Sequence, residues 1–436
     1  MKASLLFSAT FLASAAFAFP ANLAKLMQND ISDETLAQMD FLADQITADI
    51  SRRQSQGPNV KRDFTTTPVE NTGAHAYIAP GPNDLRGPCP GLNTMANHGY
   101  INRSGWSSAV ELATASNQVF GMGIELSTFL AVYSAIIAGD LTSVSIGGKP
   151  ANAGLVTGLG SSLGLLGEPQ GLSLSHNRFE ADASPVRGDL YSTGDAWSLN
   201  LGQFEKLAAM PLGANGYDMS VMIAWRHKCF QNSIATNGRY FAGPWTNYVV
   251  NAAAHYFTYR FFANYTSDHP EGYLSLETLK TFEGVKGQPG SFTWSTGSER
   301  IPDNWYRRPV AQPYGLTELS LDATAAVLQY PDLVRVGGNM GAPNTFVGVN
   351  LDNLTGGVYN AQRLTQGNNL ICFGMQFASI GAPDMLKGLV NNVLSSAVSK
   401  LSNVLNPILQ SLDCPDFTNY NGNLFQQFPG AGSNPL

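Results

Sequence analysis

Leu85-Arg86-Gly87-Pro88-Cys89-Pro90-Gly91-Leu92-Asn93-Thr94-Met95-Ala96-Asn97-His98-Gly99-Tyr100 sets one cysteine between two prolines. Each proline fixes φ and removes a backbone N–H donor. Pro90 also suits the first position of a helix. The pattern predicts a helix through Leu92, Asn93, Met95 and Ala96 that stops at Gly99. The free N–H groups of Gly91 and Leu92 would then point back at the Cys89 sulfur. A helix N-terminus favours negative charge, so a thiolate would be stabilised there, as an axial ligand of haem iron requires. The competing reading of an isolated Pro-Cys-Pro is a disulfide cysteine in a loop.

A second stretch, Asn177-Arg178-Phe179-Glu180-Ala181-Asp182-Ala183-Ser184-Pro185-Val186-Arg187-Gly188-Asp189, lies downstream. Glu180 and Ser184 stand one helical turn apart and would project to one side. A carboxylate, a hydroxyl and an intervening carbonyl suit a hard cation such as Mg²⁺. The alternative is a helix N-terminus with Glu180 and Asp182 near the dipole. Taken together and in this order, the two stretches resemble the fungal haem-thiolate peroxidases, the family of chloroperoxidase and the unspecific peroxygenases. The first looks like its proximal motif, the second like its Glu-x-Asp-x-Ser segment. The likeness is clear over residues 65 to 290 and weaker in the tail.

The resemblance implies a mainly α fold, a single large helical haem-binding domain of chloroperoxidase type. It implies haem b with Cys89 as the iron ligand and Pro88, Pro90 and Asn93 around it. It also implies Mg²⁺ or another divalent cation on Glu180, the Ala181 carbonyl and Ser184, beside a haem propionate. Arg187 and Asp189 match family positions and are expected to form an ion pair. His98 and His176 are expected to be hydrogen-bonded structural residues.

Peroxide cleavage needs a group that moves a proton between two oxygens. The family uses a glutamate on the helix above the haem, and its peroxygenases add an arginine one to two turns earlier. Here no acidic residue stands between Arg239 and Tyr265. Counting from Arg239 puts Thr246 at the acid's place; anchoring on Phe261-Phe262 puts Ala254 or His255 there. The expectation is His255 as acid–base, Asn251 as the other nearby candidate, and Arg239 as stabiliser of developing negative charge. This departure is similar to the divergent branch of the dothistromin and sterigmatocystin biosynthesis peroxidases. Three function classes follow. The first is a peroxidase or peroxygenase using hydrogen peroxide to oxidise, oxygenate or halogenate a small organic substrate. The second is a haem- or ligand-binding protein of the same fold without peroxide chemistry. The third is a secreted structural glycoprotein.

Met1 to Ala18 reads as a secretory signal, with Lys2, the apolar run Leu5 to Ala16, and Ala16-Phe17-Ala18. Residues 19–64 read as a leader or arm, in which Lys61-Arg62 is either a dibasic processing site or a solvated charge pair. Residues 65–436 form the peroxidase-like domain. The composition is 44% hydrophobic and 13% charged, which argues against disorder. A net charge of -7 leaves no basic footprint, so no nucleic-acid partner is expected. No stretch predicts stable membrane insertion, and an extracellular monomer is expected.

Of four cysteines, Cys372 and Cys414 flank a long amphipathic segment and could close one disulfide, a pairing the resemblance supports. Cys229 would remain a buried free thiol; the rival pair is Cys89 with Cys229. Sequons stand at Asn102, Asn264 and Asn353. Helical spacing marks Ser107 to Ser116, Gly123 to Ala138 and a buried helix over Tyr248 to Asn264. Leu274 to Phe282 suits an exposed helix. Pro313 to Asn369 reads as loop with short strands. Met385 to Leu412 is a long helical pattern kinked by Pro407. Gly148-Lys149 and Gly158-Leu159-Gly160 lack the context of a phosphate loop.

Overall fold

The computed structural model describes residues 67–140, 142–150, 170–309, 311–385 and 403–432, together with Ala48. Helix α1 (Pro90–Asn97) starts at the second proline, with Cys89 as its capping residue, and Gly99 leaves it at φ +67°. Ser108 caps α2 (Ala109–Phe120) by accepting from the Glu111 N–H, and Gly121 ends it in the left-handed region. Helix α3 (Ile124–Ala138) is buried along almost its whole length. Strands β1 (Trp106–Ser108) and β2 (Ser143–Ser145) pair antiparallel and tie the ends of this helical pair together.

Helices α4 (Leu201–Ala208) and α5 (Met219–Thr236) follow, capped by Asn200 and Asp218. After β3 (Phe241–Ala242), a wide π-helical turn over Thr246–Asn251 runs into α6 (Ala252–Phe262). Helix α7 (Leu276–Glu283) leads into a hairpin of β4 (Val285–Lys286) and β5 (Thr293–Trp294). Helix α8 (Leu316–Gln329) precedes β6 (Gly337–Gly338) and β7 (Val347–Gly348), which join β3 in the order β3-β6-β7. Helix α9 (Asn369–Met385) and a helix over 403–411 close the described chain. The architecture is thus helical, with small sheets that fasten loops.

The core is a single contiguous apolar cluster. At its centre Phe120 of α2 meets Phe261 and Phe262 of α6, Phe282 of α7 and Trp305 at centroid separations of 6.0 to 6.1 Å. The same Phe120 ring lies 3.4 Å from where a Cβ on Gly91 would stand, so the aromatic knot holds α1 and its cysteine. Each such pair adds roughly 0.5–1.5 kcal/mol beyond the area it buries.

Two expectations need correction. Helix α8 lies in a stretch read as loop, because the glycines after residue 336 dominate that window. Helix α7 buries Leu279, Phe282 and Glu283 rather than lying exposed. The helix over 403–411 presents Leu405 and Ile408 to the core, as its pattern predicts. The rest of that pattern, over 386–402, lies outside the described residues, as do Met1 to Ala18, Lys61-Arg62 and Gly158-Leu159-Gly160. Cys372 and Cys414 form a disulfide, and Cys89 and Cys229 are free thiols. No helix among the described residues is long and apolar enough to cross a membrane.

Candidate active site

Cys89 receives hydrogen bonds from the N–H groups of Gly91 and Leu92. Burial pushes its thiol up, and these amides and the Arg187 guanidinium pull against that push. The side chain keeps accessible surface although protein surrounds it densely. Pro88 and Pro90 flank it on the chain. Asn93, one turn into α1, accepts from Gly87 N at 3.0 Å and donates to Gly87 O at 2.9 Å and Glu299 Oε1 at 2.9 Å. Its amide thus holds the cysteine loop, where resemblance implied cofactor contact. A Cβ on Gly87 would stand 2.0 Å from the Ile146 carbonyl oxygen, so this turn admits only glycine.

His98 is the histidine nearest Cys89 along the chain. Its Nε2 accepts from Ile301 N at 3.1 Å, which puts the proton on Nδ1, 2.7 Å from the His75 carbonyl. Both ring nitrogens are occupied, as expected of a structural histidine. Arg187 Nε donates to the Pro88 carbonyl at 3.1 Å, and its Nη1 lies 3.3 Å from Glu283 Oε2. Its Nη2 is buried without a partner. Burial pushes Glu283 up to about 7 against the pull of Arg187. Asp189 is not the partner of Arg187. The chain turns into a helix at Asp189, and its carboxylate accepts instead from Ala183 N and Asn237 Nδ2.

The second motif is not helical. Residues 176–187 form turns and bends, with Asn177 and Ala183 in the left-handed region. Glu180 and Ser184 therefore share no helical face. What gathers is His176, Glu180 and Asp182, with ligand-type atoms within 4.8 Å of one another. His176 Nδ1 is 2.6 Å from Glu180 Oε2, and its Nε2 is 3.8 Å from Asp182 Oδ2. Burial opposes the imidazolium, yet the Glu180 hydrogen bond and the charges of Glu180 and Asp182 outweigh it and raise His176 to about 9. Burial pushes both carboxyls up, and Asp189 adds to the push on Asp182. Both directions express one shortage of positive charge among crowded acids. Glu180 Oε1 is buried without a partner. Oxygen and imidazole donors of this kind fit a divalent cation. Ala181 sits between the two acids, and the Ser184 carbonyl accepts from Gln203 Nε2.

The helix expected to face the peroxide departs further from expectation. Asn251 donates to the carbonyls of Asp182 at 3.0 Å and Ala183 at 2.7 Å, and accepts from Arg226 Nε at 3.3 Å. Its amide is fully engaged and clamps α6 to the acid loop. His255 Nδ1 donates to the Asn251 carbonyl at 2.9 Å, leaving Nε2 without a partner and the ring without exposed surface. Burial pushes its pKa down to about 3, so the ring is neutral with one free lone pair. Arg239 is exposed and stacks over Tyr191 at 5.0 Å, away from His255. The buried arginine against this helix is Arg226, bound to Asn247, Asn251 and Tyr256. Val250, Ala254 and Phe257 form the half-buried stripe of the helix. That stripe continues to Phe261, which meets Phe120 beside Gly91. The open face thus carries Ala254, and His255 lies on the closed one.

Reading the sequence missed Asp182 as a cluster member, and Glu283 and Glu299 beside the cysteine loop. No spacing announces the last two, because they arrive from segments about two hundred residues downstream of Cys89.

The family pattern described as "Peroxidase, family 2" matches residues 75–310, which include the cysteine loop, the acid cluster and α6. The chain is 40% identical over 384 residues to the dothistromin biosynthesis peroxidase dotB of Dothistroma septosporum, covering 87% of this chain and 90% of that one. It is 35% identical over 431 residues to the aromatic peroxidase fscJ of Fusarium equiseti, covering 96% and 95%. It is 32% identical over 242 residues to an aromatic peroxygenase of Coprinellus radians, covering 54% of this chain and 89% of that one. Relatives that match along nearly their full length, and a family pattern that spans every residue of the site, make this chain a member of peroxidase family 2 and an oxidoreductase acting on a peroxide.

Proposed function

We propose that this peroxidase holds haem b through Cys89 and uses hydrogen peroxide to oxidise, oxygenate or halogenate a small aromatic molecule. The observation that carries the reading is the cysteine: its sulfur accepts from two amides at a helix N-terminus, while both nitrogens of His98 are occupied. The unpartnered Nη2 of Arg187 supports it, because a buried guanidinium N–H calls for an anion such as a propionate. A divalent cation would answer the charge shortage of the acid cluster, with Glu180, His176 and Asp182 as donors brought together, and the Ala181 carbonyl and Ser184 as donors the family adds. When bound, haem would supply iron for O–O cleavage, chemistry that a Cys89 thiolate ligand would favour.

The chain's own residues have separable tasks. The Gly91 and Leu92 amides favour negative charge on the sulfur against the push of burial, and Asn93 and Gly87 fix where it sits. His255 is held on the closed face of α6, its tautomer set by the Asn251 carbonyl, so its free Nε2 does not face the peroxide and serves the helix's packing instead. A second reading, haem binding without peroxide chemistry, draws on one observation, the bare Ala254 on the open face. Secretion is proposed from Met1 to Ala18, from the disulfide, which fits an oxidising compartment, and from exposed sequon residues Asn102 and Asn353. A role in fungal secondary metabolism rests on the relatives' names.

The test is the absorption spectrum of the reduced, CO-bound protein. The red-shifted Soret band of a thiolate ligand is expected, lost in Cys89→Ala and kept in His98→Gln. An unchanged band in Cys89→Ala overturns the assignment. With peroxide in stopped flow, His255→Ala should leave the first step within about tenfold of wild type, and a loss of the roughly 10²–10⁴-fold that general acid–base catalysis supplies would place the ring at the peroxide.

A further inference from the structure

Helices α4 and α5 enclose a cavity of about 380 Å³ that the haem reading does not use. Its floor is made by Ala183, Trp225, Cys229 and Ser233, all buried. Lys206 and Lys228 stand exposed at its rim. No carboxylate lines it. Glu205, the acid next to Lys206, turns away to accept from Gly290 N at 2.7 Å. Neither lysine enters an ion pair among the described residues. The Trp225 indole N–H is taken by the Pro185 carbonyl at 2.8 Å, so the ring brings apolar surface and no free donor.

We propose that this cavity is a second ligand site, for an aromatic carboxylate. Two ammonium groups without counter-ions at the mouth of an indole- and thiol-floored well select an anion carrying a flat apolar body. The volume lies within the range of small-molecule pockets and suits a ligand of one or two rings. The occupant would rest against Ala183, at the start of the loop over 183–185. The other side of that loop is clamped by Asn251, and Gln203 of the cavity donates to Ser184 O. The loop is therefore the shared wall between this site and the acid cluster.

Calorimetric titration of the full-length protein with 2-naphthoate, and with neutral 2-naphthamide as its uncharged counterpart, tests the proposal. Saturable binding of 2-naphthoate is expected. Lys206→Glu with Lys228→Glu should weaken it about tenfold or more, as the loss and reversal of two surface ion pairs implies. The same double variant should leave 2-naphthamide binding and peroxidase turnover unchanged. If charge reversal impairs folding, Lys206→Gln with Lys228→Gln carries the test, with a loss of about threefold expected. Equal affinity for 2-naphthoate in wild type and both double variants, or no saturable binding, overturns the site.

Discussion

His255 donates from Nδ1 to the Asn251 carbonyl and has no contact with water, so folding removes a titratable ring from solvent. Its pKa stands near 3, against about 6.5 in an unfolded chain. Below about pH 6.5 the unfolded chain takes up a proton that the folded chain refuses. The stabilisation is present above that pH and is lost as the pH falls toward 3, by at most about 4 kcal/mol. His255→Gln should flatten the acid limb of Tm against pH between pH 6.5 and 3.5; an unchanged limb would assign it to another group. Glu283 has the opposite sign. Burial raises it from 4.5 to about 7, so its share of stability is present below pH 4.5 and lost as the pH rises through 7. Glu283→Gln should remove a decline in Tm over that window, and a decline that persists would clear Glu283 of it.

At the scale of elements, α6 is held to the acid loop by a single amide. Asn251→Ala would leave the Asp182 and Ala183 carbonyls and the Arg226 Nε without partners. Each stranded buried group costs about 1–3 kcal/mol, so a loss of at least about 3 kcal/mol in urea unfolding is expected, and a smaller one would mean that water or neighbours replace the clamp. The elements themselves were partly legible. Helix α1 was readable because proline and glycine mark its ends, and α6 because its apolar run is long. Helix α8 was hidden because the following glycines dilute its pattern. The acid loop was misread because Glu180 and Ser184 have helical spacing without helical backbone; left-handed Asn177 and Ala183 turn the chain and bring His176 to the acids instead. Arg239 looked suitable by position alone, and only packing shows that it faces outward onto Tyr191.

Across the whole molecule, the tail is joined to the core by the Cys372–Cys414 disulfide, 42 residues apart in sequence. Cys372 is buried in α9, and the helix over 403–411 sets Leu405 and Ile408 into the same core. A loop of that length implies about 4 kcal/mol of stabilisation by chain entropy. Cys372→Ser with Cys414→Ser should lower unfolding free energy by about 2–4 kcal/mol, and an unaltered denaturation midpoint would show that packing alone holds the tail. The pairing was open to sequence reading through secretion and family likeness. The strap at residues 297–301 was not: it binds α1 through Asn97, His98 and Asn93 from far along the chain.

The cysteine loop is held by parts that all belong to the polypeptide: two prolines, the Asn93 clamp on Gly87, and the strap behind α1. If Cys89 holds haem as proposed, a loop fastened by these contacts predicts a socket that forms on folding and is loaded afterwards. Haemin added to folded apoprotein should be taken up in one second-order phase whose rate scales with haemin concentration. A slow phase independent of that concentration would mean that the loop takes shape only around its cofactor.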